Sequence, residues 1–280
     1  QCPDTPEGAT VNQNGCAESQ LDDDNDGVNN LLDLCPDTAP GESVDDDGCS
    51  ETQLFSPDRA ALLAIYNATN GANWINTWDL NRYMSTWQGV TLDNEGRVFQ
   101  LDLSENGLQG TLPTELGNLE NLKYLYLDKN MLTGTIPPEI GNLTALNTLY
   151  LGNNELSGAI PPEIGNLNQL QNLTLRKNSL EGNIPPEIGN LANLKSISLE
   201  DNLLSGNIPE SLGNLSEMEY LFLYDNQLTG NIPEALVNLD KLKSIFLQNN
   251  MLSGTIPNLS SLLNNIGYLN ILENNFVFKD

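Results

Sequence analysis

An asparagine recurs every 24 residues through about two thirds of this 280-residue chain, without an insertion or a deletion. A glycine and a proline follow each of the first seven asparagines at fixed distances, and leucines fill the frame LxxLxLxxNxLxGxIPxxLGNL. One such unit is too short to bury its own apolar face, so the units must stack and share a continuous core. The repeating asparagines are Asn106, Asn130, Asn154, Asn178, Asn202, Asn226, Asn250 and Asn274.

This frame resembles the leucine-rich repeat, and its GxIP segment resembles the plant-type subclass of that family. We therefore expect an α/β-type solenoid over residues 98–280, built from about eight units of 24 residues. In each unit the LxxLxL segment should form a short strand, and these strands should align as one parallel sheet on the concave face. The asparagine column should turn the chain and satisfy buried backbone groups with its side-chain amides.

Residues 55–97 are interpreted as a cap over the first repeat. Ser56, Pro57 and Asp58 have the features of a helix start: an N-cap hydroxyl, a proline at the first helical position and an acidic side chain at the positive end. A solenoid exposes its first core layer unless large side chains cover it, so we interpret the tryptophans as capping residues rather than ligand contacts. With WQGV at residues 87–90, the segment resembles the cap of plant-type leucine-rich repeat proteins, without the paired cysteines of that cap. The three tryptophans are Trp74, Trp78 and Trp87.

Residues 1–54 form a separate acidic arm. The first 55 residues hold fourteen Asp or Glu and no Lys or Arg, which is over half of the formal charge of −27. Four cysteines allow three pairings, and the 33-residue offset between two equally spaced pairs favours a closed loop in each unit. Zinc is disfavoured because the spacing lacks CxxC and the chain has no histidine, so we expect disulfides and an extracytoplasmic location. The two pairs are Cys2/Cys16 and Cys35/Cys49.

Between the cysteine pairs, the segment DDDNDGVNNLLD at residues 22–33 has the spacing of a calcium-binding loop. Oxygen-bearing side chains occupy loop positions 1, 3, 5, 9 and 12, and Gly27 at position 6 permits the sharp turn. An acidic segment with little apolar content repels itself, so we expect the cation to be needed for the arm's structure; the alternative is a disordered acidic linker. The predicted Ca²⁺ ligands are Asp22, Asp24, Asp26, the backbone carbonyl of Val28, Asn30 and Asp33.

The helices of an EF-hand are absent, and the pattern DxDxDGxxNxxDxCPDT resembles thrombospondin type 3 repeats over about residues 2–54. That resemblance implies an arm that is stabilised by calcium and disulfides and has little apolar core. Arm, cap and GxIP repeats together resemble secreted or outer-surface proteins of Gram-negative bacteria.

Outward-facing positions of the expected concave sheet have no packing role, so their residues can indicate function. Eight of the fourteen Tyr and Phe fall there, in two groups separated by a polar stretch that contains Arg176, Lys177 and Lys195. Aromatic side chains gathered on a concave surface are typical of a binding site, although cross-strand stacking that only stiffens the sheet is the alternative. The first aromatic cluster is Tyr124, Tyr126 and Tyr150, and the second aromatic cluster is Tyr220, Phe222, Tyr224, Phe246 and Tyr268.

Composition excludes several functions. A chain this acidic is a poor partner for nucleic acid and anionic membranes, and it has no apolar run long enough to span a bilayer. Without histidine, and with its cysteines oxidised, the chain is not expected to be an enzyme; we interpret Glu200 and Asp225 as solvated surface rather than as a glycosidase pair.

We predict a secreted or cell-surface calcium-binding recognition or adhesion protein whose concave face binds a protein or peptide. The alternatives are a carbohydrate-binding module, whose tyrosines would stack on sugar rings, and a purely structural stalk. Ice binding by rows of threonine and asparagine is a weaker hypothesis, because Ala159 and Glu181 interrupt those rows.

Overall fold

The computed structural model describes residues 2, 5–6, 9–14, 16–30, 32–33, 35, 38, 40–44, 48–50, 56–258 and 267–276. From residue 98 onward these residues form a solenoid of stacked turns. Each turn contributes one strand to each of two sheets, and most turns add a short 3₁₀ segment. The structure confirms the fold expected from the repeat frame.

The sheet that carries the aromatic clusters, here called the concave sheet, has nine strands. Eight of them are parallel and aligned so that residues 24 positions apart are neighbours. The first strand comes from the cap and pairs antiparallel with the next. The repeat frame could not predict this extra strand, because it lies outside the frame. The strands are Val90–Leu92, Val98–Asp102, Tyr124–Tyr126, Thr148–Tyr150, Asn172–Thr174, Ser196–Ser198, Tyr220–Phe222, Ser244–Phe246 and Tyr268–Asn270.

A second sheet of eight parallel strands is formed by the residues that follow each asparagine. Both sheets contribute to one buried cluster, in which Leu125 of the concave sheet and Leu132 of the second sheet have no solvent exposure. The strands are Gln109–Thr111, Met131–Gly134, Glu155–Gly158, Ser179–Asn183, Leu203–Asn207, Gln227–Gly230, Met251–Gly254 and Asn275–Phe276.

The LGNL part of each repeat closes the turn with a short 3₁₀ helix. Its glycine is required by close approach of neighbouring turns, since a Cβ on Gly141 would lie 2.5 Å from the carbonyl oxygen of Glu163. The isoleucine or leucine before that glycine enters the core, as Ile140 does with no exposed surface. The segments are Thr114–Asn118, Pro138–Asn142, Pro162–Asn166, Pro186–Asn190, Glu210–Asn214 and Glu234–Asn238.

The repeating asparagines tie each turn to the turn before it. Asn154 donates its Nδ2 protons to the carbonyl oxygens of Leu127 and Leu151, both at 3.0 Å, and its Oδ1 accepts from the amide of Leu132 at 3.0 Å. Leu127 and Leu132 belong to the preceding turn and Leu151 to its own, so one side chain satisfies three backbone groups across the junction. The same three bonds recur at Asn130, Asn178, Asn202, Asn226, Asn250 and Asn274.

The residue before each asparagine adopts a left-handed backbone, with φ between 52° and 57° at all eight positions. This conformation costs about 1 kcal/mol or more for a residue with a Cβ. It persists because backbone bonds to the next turn fix it: the amide of Lys129 donates to Gly152 at 2.9 Å. The positions are Glu105, Lys129, Asn153, Lys177, Asp201, Asp225, Asn249 and Glu273.

Helix α1 spans Pro57–Ala68 and begins as predicted, with the Ser56 side chain accepting a hydrogen bond from the amide of Arg59. The role of Asp58 was not predicted. Its buried carboxylate accepts from Arg97 Nε at 3.0 Å, from Arg97 Nη2 at 2.9 Å and from the amide of Val98 at 2.7 Å. Asp58 therefore fixes the helix onto the first parallel strand of the solenoid.

The tryptophans pack with one another inside the core cluster. The ring centroids of Trp74 and Trp78 lie 4.9 Å apart and those of Trp78 and Trp87 lie 4.7 Å apart. Each tryptophan is no more than 4% exposed. This burial supports the capping interpretation over a role in ligand contact.

In the arm, the structure resolves which cysteines pair. Each unit closes its own loop, as the equal spacing of the cysteine pairs favours, and each loop carries one antiparallel bridge. The predicted boundary between arm and cap falls at residues 51–55, which lie outside the described residues. The disulfides are Cys2–Cys16 and Cys35–Cys49, and the bridges are Val11–Ala17 and Val44–Ser50.

Replacing a central member of the asparagine ladder should weaken the solenoid. In Asn154→Ala, three buried backbone groups lose their partner, so we expect the free energy of unfolding to fall by about 3 kcal/mol. Asn168→Ala is the matched control, because that amide is exposed and bonds only within its own loop. Urea titration followed by circular dichroism measures both; equal destabilisation by the two changes would contradict the role of the ladder.

Candidate functional site

Three carboxylates of the arm converge on one point. One oxygen from each of Asp22, Asp24 and Asp26 lies within 4.8 Å of the others. Asp22 Oδ1, Asp24 Oδ1 and Asp26 Oδ2 are shielded from solvent and have no hydrogen-bond partner within the described part of the chain. Oxygens that coordinate one Ca²⁺ at 2.3–2.6 Å lie up to about 5 Å apart, so this arrangement fits a single calcium ion.

Backbone amides inside the loop hold these carboxylates in position. Asp22 Oδ2 accepts from the amide of Gly27 at 3.0 Å, and Gly27 itself has φ of 100°, as the predicted sharp turn requires. Asp26 Oδ1 accepts from the amide of Val28 at 2.7 Å. Because these bonds use one oxygen of each carboxylate, the other oxygen is left for a cation.

The last two predicted calcium ligands, Asn30 and Asp33, do not converge with the three aspartates and instead bond to backbone amides. Asn30 Oδ1 accepts from the amide of Asp23 at 2.9 Å, and Asp33 Oδ1 accepts from the amide of Cys35 at 2.7 Å. Burial raises the pKa of Asp33, and the nearby charges of the three converging aspartates raise it further, although the Cys35 amide acts in the opposite direction. Asp33 therefore lies in the field of the cluster, whereas the Asn30 oxygen is used to close the loop.

The second disulfide loop supports the cluster from outside, which the motif alone did not indicate. The amide of Thr38 donates to Asp24 Oδ2 at 2.8 Å, and the Thr38 hydroxyl donates to the carbonyl of Gly48 at 2.8 Å. A Cβ on Gly48 would lie 2.2 Å from Asp33 Oδ1 and 3.1 Å from Asp26 Oδ2. Only glycine lets the carboxylates approach the backbone this closely.

The structure brings the first aromatic cluster together on the concave sheet. Tyr126 and Tyr150 are register partners whose ring centroids lie 5.4 Å apart, and the rings of Tyr124 and Tyr126 stack at 6.5 Å. Phe99 adds a fourth ring, 5.3 Å from Tyr124, which the repeat frame did not identify because it lies one position before the aligned columns. All of these rings are half-buried, so each keeps one face toward solvent.

The second aromatic cluster is continuous across two strands but does not include every predicted member. Phe222 and Phe246 are register partners with centroids 5.3 Å apart, and each also contacts a tyrosine: Tyr220 at 6.2 Å and Tyr224 at 6.4 Å, respectively. Tyr268 contacts no ring among the described residues and is 70% exposed. It lies on the edge strand, next to Ser244 in the register.

Between the clusters lie the cations that the sequence indicated. Lys195 Nζ donates to Gln171 Oε1 at 2.9 Å, and Arg176 Nη1 lies 3.7 Å from Glu200 Oε1. The interpretation of Glu200 as solvated surface is wrong, because this residue is 2% exposed. Tyr224 and Arg176 occupy the same position in the next and the preceding turn, and a side chain between two large neighbours loses contact with water. Burial raises the pKa of Glu200 above its ordinary value, while Ser198 and Arg176 partly counteract that effect.

The chain belongs to the leucine-rich repeat family: the family model described as "Leucine-rich repeat region" matches residues 95–251. Among solved structures, it is similar to the ectodomain of the receptor kinase GASSHO1/SCHENGEN3 from Arabidopsis thaliana, with 33% identity over 78% of this chain and 30% of that one, and a TM-score of 0.68.

Two further solved structures are similar. One is the Arabidopsis receptor kinase HAESA ectodomain in complex with an IDA peptide hormone ligand: 29% identity, 80% of this chain, 42% of that one, TM-score 0.62. The other is a plant ice-binding protein: 28% identity, 80% of this chain, 81% of that one, TM-score 0.67. The chain spans less than half the length of either receptor ectodomain. Within the described residues, no helix combines the length and apolar character needed to cross a bilayer.

The burial of Glu200 has a measurable consequence for stability. An acid whose pKa is higher in the folded protein than in the unfolded chain binds its proton more tightly when folded. As pH rises above the ordinary pKa of glutamate, the free energy of unfolding therefore falls. In Glu200→Gln this titration is absent. The variant should therefore gain stability relative to the wild type between about pH 4 and about pH 7.

Urea titrations at several pH values measure this difference. Glu155→Gln, on the second sheet and exposed, is the control for loss of one negative charge. If the stability gained by Glu200→Gln over the wild type stays constant or shrinks as pH rises, the raised pKa of Glu200 is contradicted.

Proposed function

We propose that this chain is a non-enzymatic extracytoplasmic recognition or adhesion protein that binds a protein or peptide partner on its concave sheet. The observation that carries the proposal is the pair of aromatic clusters, whose rings, Tyr268 excepted, pack against one another and stay partly exposed to solvent. A structural stalk has no need for such clusters.

The physical argument is preorganisation. Tyrosine and phenylalanine provide a large contact area at low entropic cost, and ring–ring packing has already ordered these side chains before a ligand arrives. The parallel register places the two clusters on one surface, with two turns of polar residues between them. This spacing suits an extended partner that crosses several repeats and contacts both clusters.

The comparisons support the same reading. The HAESA ectodomain, which shares the fold, is bound to a peptide hormone. Since this chain matches only part of that receptor, the transfer of peptide binding rests on the aromatic surface rather than on the likeness. The two disulfides favour an oxidising environment outside the cytoplasm. The bacterial cell surface remains our proposal for the setting, from the resemblance of the arm to thrombospondin type 3 repeats.

The polar groups around the rings favour protein or peptide binding over carbohydrate binding. Asn147 Oδ1 accepts from Thr148, Asn172 Nδ2 donates to Thr148, and Asn249 Nδ2 donates to Asp225 Oδ1. Groups that bond to one another are less available to sugar hydroxyls. Protein or peptide binding needs fewer free polar groups and therefore agrees better with the site.

Ice binding is the second candidate, because the similar plant ice-binding protein is matched over most of its length. The second sheet aligns Thr111 with Thr133, but the next neighbour in that row is Glu155, and in another row Glu181 is paired with Leu203. A charged side chain interrupts the regular hydroxyl array that such a surface would need. Thermal hysteresis measurements with the full chain test this candidate; a freezing gap would favour it.

We also propose that the arm binds one Ca²⁺ through Asp22, Asp24 and Asp26, with Asp33 contributing negative charge. Isothermal titration should show calcium binding by the full chain. We expect Asp24→Asn to abolish most of this binding, and Gly48→Ala to weaken it by about 10- to 100-fold because the added methyl displaces Asp33 and Asp26. A chelator should lower the melting temperature of the wild type.

Asp23→Asn is the matched control for calcium binding: it makes the same chemical change within the same loop, at an exposed side chain outside the cluster. It should retain nearly wild-type affinity. If the wild type shows no calcium-dependent heat, or if Asp23→Asn and Asp24→Asn lose binding equally, the calcium site is wrong.

Peptide binding can be tested by selecting a random-peptide phage library on the immobilised protein. We expect sequence enrichment on the wild type, and at least about tenfold weaker retention of the selected phage on Phe222→Ala, whose ring is central to the second aromatic cluster. Met131→Ala removes a partly exposed apolar side chain from the second sheet and should retain the phage. Melting temperatures of the variants check that each is folded; equal retention by Phe222→Ala and wild type would contradict binding at this surface.

A further inference from the structure

Beside the second aromatic cluster, the surface carries carboxylates and unused hydrogen-bond acceptors. Past the carboxyl ends of the strands Ser196–Ser198, Tyr220–Phe222 and Ser244–Phe246, the surface forms a shallow polar groove. Two of its lining carboxylates, Asp201 and Asp225, occupy the same position in successive turns. The groove is lined by Asp201, Asn202, Asp225, Asn226, Gln227 and Asn249.

A buried carboxylate lies next to this groove without an adequate partner. The Glu200 side chain is 3% exposed, and among the described residues its Oε2 has no hydrogen-bond partner. Its Oε1 lies 3.5 Å from Ser198 Oγ and 3.7 Å from Arg176 Nη1, and the backbone amide of Glu200 itself also acts on the carboxylate. A buried charge is costly unless it is paired and hydrogen-bonded, so Glu200 has capacity for a further donor.

Tyr224 connects Glu200 to the groove. Burial raises the pKa of the Tyr224 hydroxyl, and the charges of Glu200, Asp201 and Asp225 raise it further, which locates all three carboxylates around this ring. On the far side of Tyr224, Gln248 has a buried Oε1 that also has no hydrogen-bond partner in the described part of the chain. Unused acceptors therefore lie on both sides of an aromatic ring.

Arg176 is the cation that acts against this negative charge at Tyr224, and it is weakly held. Its side chain is 44% exposed and its closest approach to Glu200 is 3.7 Å, too long for a hydrogen bond. Three carboxylates face Arg176 and Lys177, which occupies the position of Asp201 one turn earlier, so a local excess of negative charge remains. An incoming cation would be attracted by that excess.

The first aromatic cluster provides an internal comparison. At the equivalent positions beside it, Asp128 accepts from the hydroxyl of Ser104 at 2.9 Å, and Glu105 is paired with Lys129 at 2.5 Å. Carboxylates there already have partners. At the second aromatic cluster Asp225 is also partnered, by Asn249, so the difference lies in the unused acceptors of Glu200 and Gln248.

We infer that the second aromatic cluster binds an arginine or lysine side chain of the protein or peptide partner. The cation lies against the Tyr224 and Phe246 rings, Asp201 and Asp225 contact it from the groove, and Glu200 pairs with it when the Arg176 side chain turns outward. Attraction between a cation and an aromatic face adds to the ionic contacts. This inference rests on the proposed function and specifies the chemistry of its ligand.

The test extends the phage selection. Peptides selected on the wild type should be enriched in Arg or Lys, and a synthetic peptide made from the most frequent sequence should bind at least about tenfold more weakly to Glu200→Gln/Asp225→Asn. Replacing its basic residue by citrulline or norleucine should weaken binding to the wild type but have little effect on binding to that double variant. Arg176→Gln, which removes the competing cation, should bind the peptide more tightly.

The matched control is Glu155→Gln/Glu181→Gln, which makes the same change in net charge on the exposed second sheet. This control should leave the affinity for the synthetic peptide nearly unchanged. If it weakens the peptide as much as Glu200→Gln/Asp225→Asn does, the peptide is attracted by the net charge of the protein, and the inference is overturned. Selected peptides without basic residues would also overturn it while leaving peptide binding intact. A wild type that enriches no peptide at all would overturn both this inference and the proposed function.

Discussion

From Asn130 to Asn274, every turn of this solenoid depends on one side-chain amide that bonds to two turns at once. A 24-residue turn has too little apolar surface to be stable alone, and its tight corner leaves backbone groups that cannot reach a partner in the same turn. The asparagine resolves both problems, since it accepts from the preceding turn and donates to both. The left-handed residue before each asparagine is tolerated for the same reason, because its own amide bonds to the following turn.

That ladder also holds the concave sheet in register, which the proposed binding surface requires. Strands of three to five residues are too short to hold aromatic side chains in register without support from the turns behind them. Once the ladder fixes the spacing, residues 24 positions apart must be neighbours, and rings such as Phe222 and Phe246 meet. The register also fixes the neighbours of charged residues. Glu200 lies between Arg176 and Tyr224, although one oxygen of its carboxylate has no hydrogen-bond partner among the described residues. In the arm, two disulfides close the loops, and backbone amides hold the converging carboxylates in position.

What could be predicted from the sequence is what repeats in it. The strands, the buried leucines and the asparagine ladder followed from the period because each position has the same surroundings in every turn. The contacts that were missed occur once. Asp58 and Arg97 are far apart in the chain and belong to the cap, so no period links them. The burial of Glu200 depends on the particular neighbours in the adjacent turns, and the use of Asn30 to close the arm loop depends on a backbone amide that the metal-ligand spacing ignores. In the arm, Gly48 is needed because a carboxylate from a different loop approaches it, which only the folded arrangement reveals.

The central claim is that a rigid repeat scaffold presents the aromatic clusters as the binding surface. Hydrogen–deuterium exchange of the full chain, with and without a peptide that the protein itself selects, tests this claim most directly. The account predicts slower amide exchange with peptide in the strands Tyr220–Phe222 and Ser244–Phe246 and in the residues that follow them, while exchange in the second sheet stays unchanged. Slower exchange confined to the second sheet or to the arm would place the partner elsewhere and would contradict the account.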